Sequence, residues 1–455
     1  MKAIYASLVV WTSGDSWGWK PMAVDTIEPL DPLTIAFKLR DNIGFTDGYG
    51  QMTAEDVKFS IERIADPKMQ SPYAVYWSTL KEVEVKDRLS GLIRLKEAFA
   101  PMWTSTLPST VSTIVSRKAV TELGGKLGVK AVAQSGPYLL KEWTPKQRTV
   151  LVRNPDWKYE RGFFEEIHIH PIEDEKPAEL GYEAGDLDYT WISASSISRF
   201  KKTPPSNSTV IQKPSLAYVW IGMNKDVAPF DNPKLRRAVQ YAVDRKAVVE
   251  AAYFGAAETA TGIIAPGLPG HREANIYNYD PDKARQIIQA EGLKGTTITL
   301  DTLNKAERLT AAQVIQANLQ DVGLNLEIKQ NDSGTFWTLG SKTGNYWNKL
   351  QMQLSRYTVS PDPSSATEWF TRDQIGVWNW ERFSSEEYDK LNAQGVRELD
   401  PAKRDTIYKK MQDLMEESGC YIFLTHEVTG IVYRNTIVPG LRPDGTPNLA
   451  DFKQA

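Results

Sequence analysis

Residues 45–63 read FTDGYGQMTAEDVKFSIER and combine a glycine-rich turn with the beginning of a helix. The Asp-Gly pair is typical of a tight turn. Thr53 is a good N-cap residue, and Asp56 follows three residues later, as in a capping box. Apolar residues then recur at helical spacing, at Val57, Ile61 and Ile64. The stretch therefore predicts a turn followed by a capped helix, which Pro67 ends.

The glycines of this stretch do not fit a phosphate-binding loop. Such loops need Gly-x-x-x-x-Gly-Lys-Ser/Thr or Gly-x-Gly-x-x-Gly in front of a helix. Gly44, Gly48 and Gly50 match neither spacing, and no lysine directly follows the last of them. Nucleotide binding at this position is therefore not indicated.

The composition of the 455-residue chain is that of a soluble globular protein, with 41% hydrophobic and 24% charged residues. This length predicts two or three domains. The formal net charge is -3 and there is no Lys/Arg-rich run, so nucleic acid is not an expected partner. A single cysteine, Cys420, excludes an internal disulfide. It lies in the apolar run CYIFL, which favours a buried, inert thiol over a reactive one.

Strand and helix patterns alternate through the second half of the chain, which predicts an α/β sheet. Strands are predicted at 35–39, 149–153, 166–170, 217–223, 297–301 and 324–329. Helices are predicted at 234–251, 282–290, 306–321 and 401–417. In the first of these helices, Arg236, Arg237 and Lys246 fall outside the apolar stripe.

Several further segments follow the opening stretch in a fixed order. LRD (39–41) precedes it, and it contains FTDG (45–48) and TAEDV (53–57). The later segments are SGPYL (135–139), RNP (153–155), AGDLD (184–188), PFD (229–231), LRRAVQYAVDR (235–245), YDPDKARQII (279–288) and PAKRDTIYKKMQDLMEE (401–417). This series resembles the bacterial extracellular solute-binding proteins of family 5, the dipeptide- and oligopeptide-type receptors of ABC importers. Each segment alone is a weak signal, but their common order over most of the chain is specific.

The resemblance implies a periplasmic-binding-protein-like α/β fold. Two α/β lobes are joined by two crossing segments, ligand binds in the cleft between them, and a hinge closes the lobes. By this likeness, residues 1–134 form mostly an extra domain with a remnant of lobe I. Residues 135–213 and 429–455 form lobe I, and residues 214–428 form lobe II.

The resemblance also implies a function. The expected role is the periplasmic substrate-binding component of an ABC importer, a monomer that delivers a peptide or similar small polar solute to a membrane permease. No cofactor or catalytic residue is expected. The alternatives are the same role for an oligosaccharide or an opine-like conjugate, and a cleft enzyme such as a glycosidase. The sequence contains no nucleophile elbow, and it does not show which carboxylates would pair.

Family members usually have several dozen mature residues before the segment that matches residues 4–11. This chain is therefore expected to be a fragment, or the product of an open reading frame begun too late, that lacks a signal peptide and part of the first lobe's sheet. The opening residues MKAIYASLVVW mimic a short signal peptide but lack a cleavage pattern, which favours a buried segment of the mature protein.

Aromatic residues in polar loops are the first candidates for ligand contact. Tyr218 and Trp220 lie at the first lobe crossing implied by the resemblance. Trp378 and Trp380 alternate, so they project to the same side if the chain is extended. An indole face can stack on a sugar ring or an apolar group. Core packing is the simpler alternative. Tyr346 and Trp347 are weaker candidates of the same kind.

Residues 353–365, QLSRYTVSPDPSS, add Arg356, Tyr357 and Val359. In peptide-binding relatives, the position matching Val359 carries an aspartate that holds the peptide's ammonium group. Valine cannot accept that bond, and Arg356 would repel the ammonium if it points inward. Either Asp362 or another acid replaces the missing group, or the ligand is not a peptide with a free amino end.

His168 and His170 lie two residues apart on a predicted strand and so share one face. Two metal ligands could be placed in this way, but no third ligand is near in sequence, and solvated strand histidines are common. No metal site is expected.

Overall fold

The computed structural model of the chain describes all residues except Met1, Gln70 and Pro72. Within it the chain divides into two compact units. Unit 1 contains the residues up to Ser193, together with Thr203–Ile211 and Gly430–Ala455. Unit 2 contains Ala194–Lys202 and Gln212–Thr429. Helices and sheets occur in both units, which confirms the α/β class. The finer division into an extra domain and two lobes stays a prediction.

The strands in chain order have the following bounds. They are β1 (Val9–Trp11), β2 (Trp19–Pro21), β3 (Val24–Asp31), β4 (Thr34–Leu39), β5 (Gly44–Phe45), β6 (Gly50–Gln51), β7 (Leu80–Val85), β8 (Ser90–Leu95), β9 (Tyr138–Thr144), β10 (Arg148–Arg153), β11 (Glu166–Ile169), β12 (Tyr189–Ile192), β13 (Ser208–Met223), β14 (Thr297–Leu303), β15 (Asn325–Asn331), β16 (Met352–Thr358), β17 (Tyr421–Arg434), β18 (Ile437–Val438) and β19 (Lys453–Gln454). Each of the six predicted strands therefore exists, with limits that shift by a few residues, except that β13 begins well before its predicted start.

The α-helices in chain order have the following bounds. They are α1 (Ala54–Ala65), α2 (Arg117–Glu122), α3 (Glu175–Ala184), α4 (Ala194–Lys202), α5 (Pro233–Ala242), α6 (Arg245–Tyr253), α7 (Pro281–Ala290), α8 (Ala306–Asp321), α9 (Ser333–Phe336), α10 (Ser364–Thr367), α11 (Glu386–Arg397) and α12 (Pro401–Glu417). Helices α8 and α12 have the predicted limits. In the described part of the chain, no helix combines the length and apolar character that a membrane span requires.

Helix α1 begins and ends where the opening stretch predicts. The backbone N–H of Thr53 donates to the Asp56 carboxylate at 2.9 Å, which is the reciprocal half of a capping box. The helix buries Val57 and Ile61 in the core of unit 1. This core also includes apolar side chains of the four-stranded antiparallel sheet with order β3-β4-β8-β7. Ala6, Leu8 and Val9 are fully buried in the same core, so the N-terminal apolar run is a buried part of the fold.

Unit 2 is built on a mixed sheet with neighbouring strands in the order β17-β13-β16-β14-β15. Strand β14 pairs in parallel with both β15 and β16, whereas β13 runs antiparallel to β16. Apolar side chains of these strands form one core with the buried faces of helices α5 to α8. The parallel strands therefore end at one common edge, which we call the carboxyl edge.

The helix predicted at 234–251 is wrong as a single element. It is divided into α5 and α6, because Val243 adopts an extended conformation and the Asp244 side chain caps α6 by accepting from the Ala247 N–H at 3.0 Å. Arg236, which was placed outside the apolar stripe, is buried. Its guanidinium donates to the backbone carbonyls of Phe230 and Ser418, so its charge is solvated by peptide oxygens.

Candidate functional site

The carboxyl edge of the unit 2 sheet brings several predicted residues together. Arg356 and Tyr357 lie near the end of β16, and Val359 follows directly after it. Tyr218 of β13 stands opposite Tyr357 in the antiparallel register, so the two rings share one face of the sheet. Open α/β sheets bind ligands at the carboxyl ends of their parallel strands. This edge is therefore the candidate site.

Tyr357 is the centre of an aromatic group at this edge. Its ring stacks with Trp337 at 6.0 Å and meets Trp378 edge-on at 5.8 Å. Its hydroxyl donates to the Trp378 carbonyl oxygen at 3.2 Å. Trp369 in turn contacts Trp378 at 6.1 Å. We call these four partly exposed side chains, Trp337, Tyr357, Trp369 and Trp378, the aromatic surface.

Sequence reasoning missed two members of the aromatic surface. Trp337 comes directly after α9, which follows β15, and Trp369 comes shortly after β16 and α10. Both are tryptophans in segments that leave the carboxyl edge. The end of a parallel strand, combined with a tryptophan a few residues later, is the signal that would have found them.

Tyr218 and Trp220 form a buried base beneath the aromatic surface. Trp220 has no exposed surface, and its ring contacts Tyr357 at 4.7 Å. Tyr218 is also buried and donates its hydroxyl to the Ala366 carbonyl oxygen at 3.3 Å. Neither ring offers a free face in this structure. Their role as ligand contacts stays a prediction, and the geometry gives them a supporting position.

Trp378 and Trp380 were expected to point to the same side only if their segment is extended. The segment is a turn, so this expectation does not apply. The backbone N–H of Trp380 donates to the Trp378 carbonyl oxygen at 3.1 Å, which closes the turn. Trp378 is 36% exposed, whereas Trp380 is only 2% exposed and packs against Phe336. The turn therefore divides the pair into one surface indole and one core indole. Tyr346 and Trp347 are half-buried.

Glu381 is a fully buried carboxyl group behind Trp220. It accepts from Trp220 Nε1 at 2.7 Å and from Gln353 Nε2 at 2.8 Å. Burial raises its pKa to about 7, against the opposing effect of these donors. Gly222 makes room for it, because a Cβ there would lie 2.0 Å from the Glu381 carboxyl oxygen Oε1. The group fixes the Trp220 indole from below.

Asp362 does not replace the acid that Val359 lacks. Its carboxylate is fully buried and forms a bidentate ion pair with Arg404, at 2.7 and 2.9 Å. It also accepts from the Ser364 hydroxyl at 2.6 Å. The expectation that Asp362 could hold a ligand ammonium is therefore corrected. Both of its carboxylate oxygens are already bonded within the folded protein. Val359 itself is half-buried in the loop after β16.

Arg356 is held by a carboxylate rather than pointing freely inward. Its Nε donates to Glu427 Oε2 at 2.5 Å, and the other oxygen of Glu427 accepts from Arg308 and Tyr253. Burial opposes ionisation of Glu427, but the guanidiniums of Arg308 and Arg356 outweigh it and lower its pKa. Tyr253 also accepts from Arg308, so this is a connected network of four side chains.

The remaining candidates do not form a site of their own. His168 contacts Glu166 at 3.2 Å on an exposed strand, and in the described residues no group of three metal-binding side chains occurs. Cys420 is buried, and burial raises its pKa to about 11, as expected for an inert thiol. Unit 1 carries a second group of partly exposed tryptophans that sequence reasoning did not single out, at Trp11, Trp17, Trp19 and Trp103.

Comparison with known protein families gives a match over most of the chain. The family model described as "Bacterial extracellular solute-binding proteins, family 5 Middle" matches residues 23–376. Among curated proteins, the glutathione-binding protein GsiB of Escherichia coli (strain K12) is 26% identical over 409 residues. That alignment covers 87% of this chain and 78% of GsiB.

Solved structures give the same fold. The oligopeptide-binding protein AppA of Bacillus subtilis, in complex with a nonapeptide, aligns with a TM-score of 0.81 at 21% identity and covers 100% of this chain and 93% of its own. The periplasmic binding protein AgaA of A. tumefaciens R10, in complex with agropinic acid, aligns with a TM-score of 0.79 at 21% identity, and the coverage is again 100% and 93%. These likenesses confirm the periplasmic-binding-protein-like fold.

Proposed function

Because the chain belongs to the bacterial extracellular solute-binding proteins of family 5, we propose that it is the periplasmic substrate-binding component of an ABC importer. It captures a small solute and passes it unchanged to a membrane permease. The observation that carries this proposal is the family match over residues 23–376. The partly exposed aromatic surface at the carboxyl edge supports it, because ligand pockets combine apolar and aromatic walls with a few polar groups.

The ligand contacts are proposed to lie on the aromatic surface. Trp378 and Tyr357 supply partly exposed ring faces. Tyr218 and Trp220 support Tyr357 from the core, and Trp380 supports Trp337. Such rigid support lowers the conformational entropy that binding would otherwise cost. Val359, which follows directly after β16, is proposed as a further apolar contact.

A small peptide or peptide conjugate is the first proposed ligand class. GsiB is named for glutathione, and AppA was solved with a peptide. A non-peptide solute, such as an opine-like conjugate or an oligosaccharide, is the second candidate. One observation favours it: Val359 cannot accept a hydrogen bond from an ammonium group, and Asp362 is already paired with Arg404.

Catalysis, cofactor use and self-association are not part of the proposal. The protein acts as a monomer that binds without turnover, and a glycosidase-like activity would need two facing carboxylates at the site. Glu381, the buried acid behind Trp220, is instead enclosed by Trp220 and Gln353. Its position suits support of the indole better than contact with a substrate.

A thermal-shift screen followed by calorimetric titration tests this proposal. The probes are glutathione, di- and tripeptides, and neutral oligosaccharides. For any probe that binds, Trp378→Ala is expected to weaken binding by about 5- to 150-fold, since it removes a ring face worth roughly 1–3 kcal/mol.

Trp143→Ala is the matched control for that substitution. Trp143 is an exposed tryptophan of unit 1 on β9, so its loss is expected to leave affinity unchanged. Equal affinity of the Trp378→Ala variant and the wild type would remove the aromatic surface from the proposal. The absence of any binding probe would count against the receptor role itself.

A further inference from the structure

The guanidinium of Arg356 is bonded differently from that of Arg404, the arginine that holds Asp362. In Arg404, both Nη atoms bind Asp362, and Nε donates to the Gly395 carbonyl oxygen. The Arg356 side chain is 40% exposed, and it is bonded only through Nε, to Glu427. Among the residues that the structure describes, neither Nη atom of Arg356 donates a hydrogen bond. The N–H groups on the two Nη atoms of this guanidinium are therefore available to a ligand.

The charges of the three ion-paired side chains, Arg356, Glu427 and Arg308, do not cancel. Glu427 is 16% exposed, and it is shared between Arg356 and Arg308, whose side chain is only 3% exposed. Arg308 is buried and needs this carboxylate as its counterion. The three side chains together carry two positive charges and one negative charge. One positive charge is therefore left over, and it belongs to the more exposed arginine.

The network also fixes the direction of the guanidinium. Glu427 Oε2 holds Nε at 2.5 Å, while Glu427 Oε1 is held by Arg308 and by the Tyr253 hydroxyl. An arginine positioned in this way presents its two Nη donors as a planar fork, which matches the two oxygens of a carboxylate. Because the side chain is already ordered, binding would cost less rotamer entropy.

The position of Arg356 places this fork at the candidate site. It precedes Tyr357 in β16, and it pairs in register with Val219 of β13. Successive strand residues point to opposite faces, so Arg356 and the aromatic surface lie on the two sides of the same carboxyl edge. A solute held at this edge would meet an aromatic wall on one side and a guanidinium on the other.

We propose that Arg356 is the anion-binding residue of this receptor, and that its solute carries a carboxylate group at the position of the free Nη edge. This inference rests on the proposed function and names the substrate class within it: an acidic solute rather than a neutral sugar. The positive charge of Arg356, which would repel an ammonium group, attracts a carboxylate.

Paired probes test the charge requirement directly. Each probe is used with free carboxylates and in a neutralised form: glutathione against its diethyl ester, and di- and tripeptides against their C-terminal amides. Neutral oligosaccharides complete the set. We expect carboxylate forms to bind, and we expect the neutralised forms to bind about 10- to 100-fold more weakly, since a charge-assisted hydrogen bond is lost.

Substitutions assign the effect to one residue. Arg356→Gln should lower the affinity for the carboxylate form by about 10- to 100-fold and leave the weak binding of the neutralised form unchanged. Arg356→Lys, which keeps the charge without the fork, should fall between the two. Arg372→Gln is the matched control, because Arg372 is also a half-exposed arginine bonded through Nε to a carboxylate, that of Asp389.

The outcomes separate this inference from the proposed function. Equal binding of the carboxylate and neutralised forms, tight binding of an oligosaccharide, or unchanged affinity in a folded Arg356→Gln variant would overturn the anion site and keep the receptor. Failure of every probe to bind would overturn both. Circular dichroism of each variant checks that the fold is retained.

Discussion

The buried carboxyl group of Glu381 is expected to make the stability of the protein depend on pH. Its pKa is raised from 4.5 to about 7 by burial, so the folded protein keeps the proton in a pH range where the unfolded chain releases it. Stability from this group is therefore fully present below pH 4.5 and is lost as the pH rises to 7. At about 1.4 kcal/mol per pKa unit, the total loss is about 3 kcal/mol.

Glu381→Gln should remove this pH dependence, because the amide keeps an oxygen acceptor for Trp220 but does not ionise. Urea unfolding at pH 5 and pH 8 measures it. The difference in unfolding free energy between variant and wild type is expected to shift by about 2–3 kcal/mol in favour of the variant at pH 8.

The contributions of the other buried titrating groups to the pH dependence of stability cancel when the variant is compared with the wild type. Burial raises the pKa of Glu368 to about 7 and lowers that of His426 to about 4, but both are present in the variant and in the wild type. Glu386→Gln, which changes an exposed glutamate paired with Lys390, is the control and should show no shift. A Glu381→Gln variant with the pH dependence of the wild type would show that Glu381 is ionised in the folded protein.

Among the secondary-structure elements, helix α1 shows how much of the fold depends on one cap. The Asp56 carboxylate accepts from the Thr53 N–H at 2.9 Å and from the Arg117 N–H at 2.8 Å, so it joins the start of α1 to the start of α2. Asp56→Ala leaves both donors without this partner. The expected loss is about 1–3 kcal/mol in unfolding free energy, measured by urea titration.

Glu55→Ala is the control for this cap. Glu55 lies in the same first turn and only forms an exposed ion pair with Arg117 at 3.3 Å, so its loss should cost less than about 1 kcal/mol. Equal losses for both substitutions would mean that the acidic first turn acts through the helix dipole rather than through the cap.

Local signals predicted elements where they were strong. Proline at the first helical position marks α7 and α12, and both helices begin there. The prediction of one long helix at 234–251 was wrong because Asp244 caps a new helix, α6. A polar residue at this position could equally have been an exposed residue of a continuous amphipathic helix. Periodicity could not decide between these roles, since α5 and α6 share the same core.

The sequence offered candidate residues for the site, and their role as ligand contacts stays a prediction. Tyr357 and Arg356 lie at the carboxyl edge because they are near the end of β16, a strand that was not among the predicted ones. The contrast between Trp378 and Trp380 depends on a turn, and the partner of Asp362 is Arg404, 42 residues away in sequence. Pairings over such separations leave no local pattern in a sequence.

At the scale of the whole molecule, each unit has its own hydrophobic core. The core of unit 1 combines α1 with the sheet that contains β4 and β8, and the core of unit 2 combines helices α5 to α8 with its mixed sheet. The carboxyl edge lies at the end of that second sheet, so the aromatic surface and Arg356 are attached to a rigid frame. This arrangement suits binding of a solute with little loss of entropy in the protein.

The most direct measurement is mass spectrometry of the small molecule released when the purified protein is denatured, followed by its return to refolded protein. The receptor account predicts one carboxylate-bearing solute that rebinds, remains chemically unchanged, and stabilises the fold by about 2.7 kcal/mol at a hundredfold excess over its Kd. Conversion of the solute at a rate abolished by one carboxylate substitution would contradict the account. So would the absence of both a retained solute and a thermal shift with every probe.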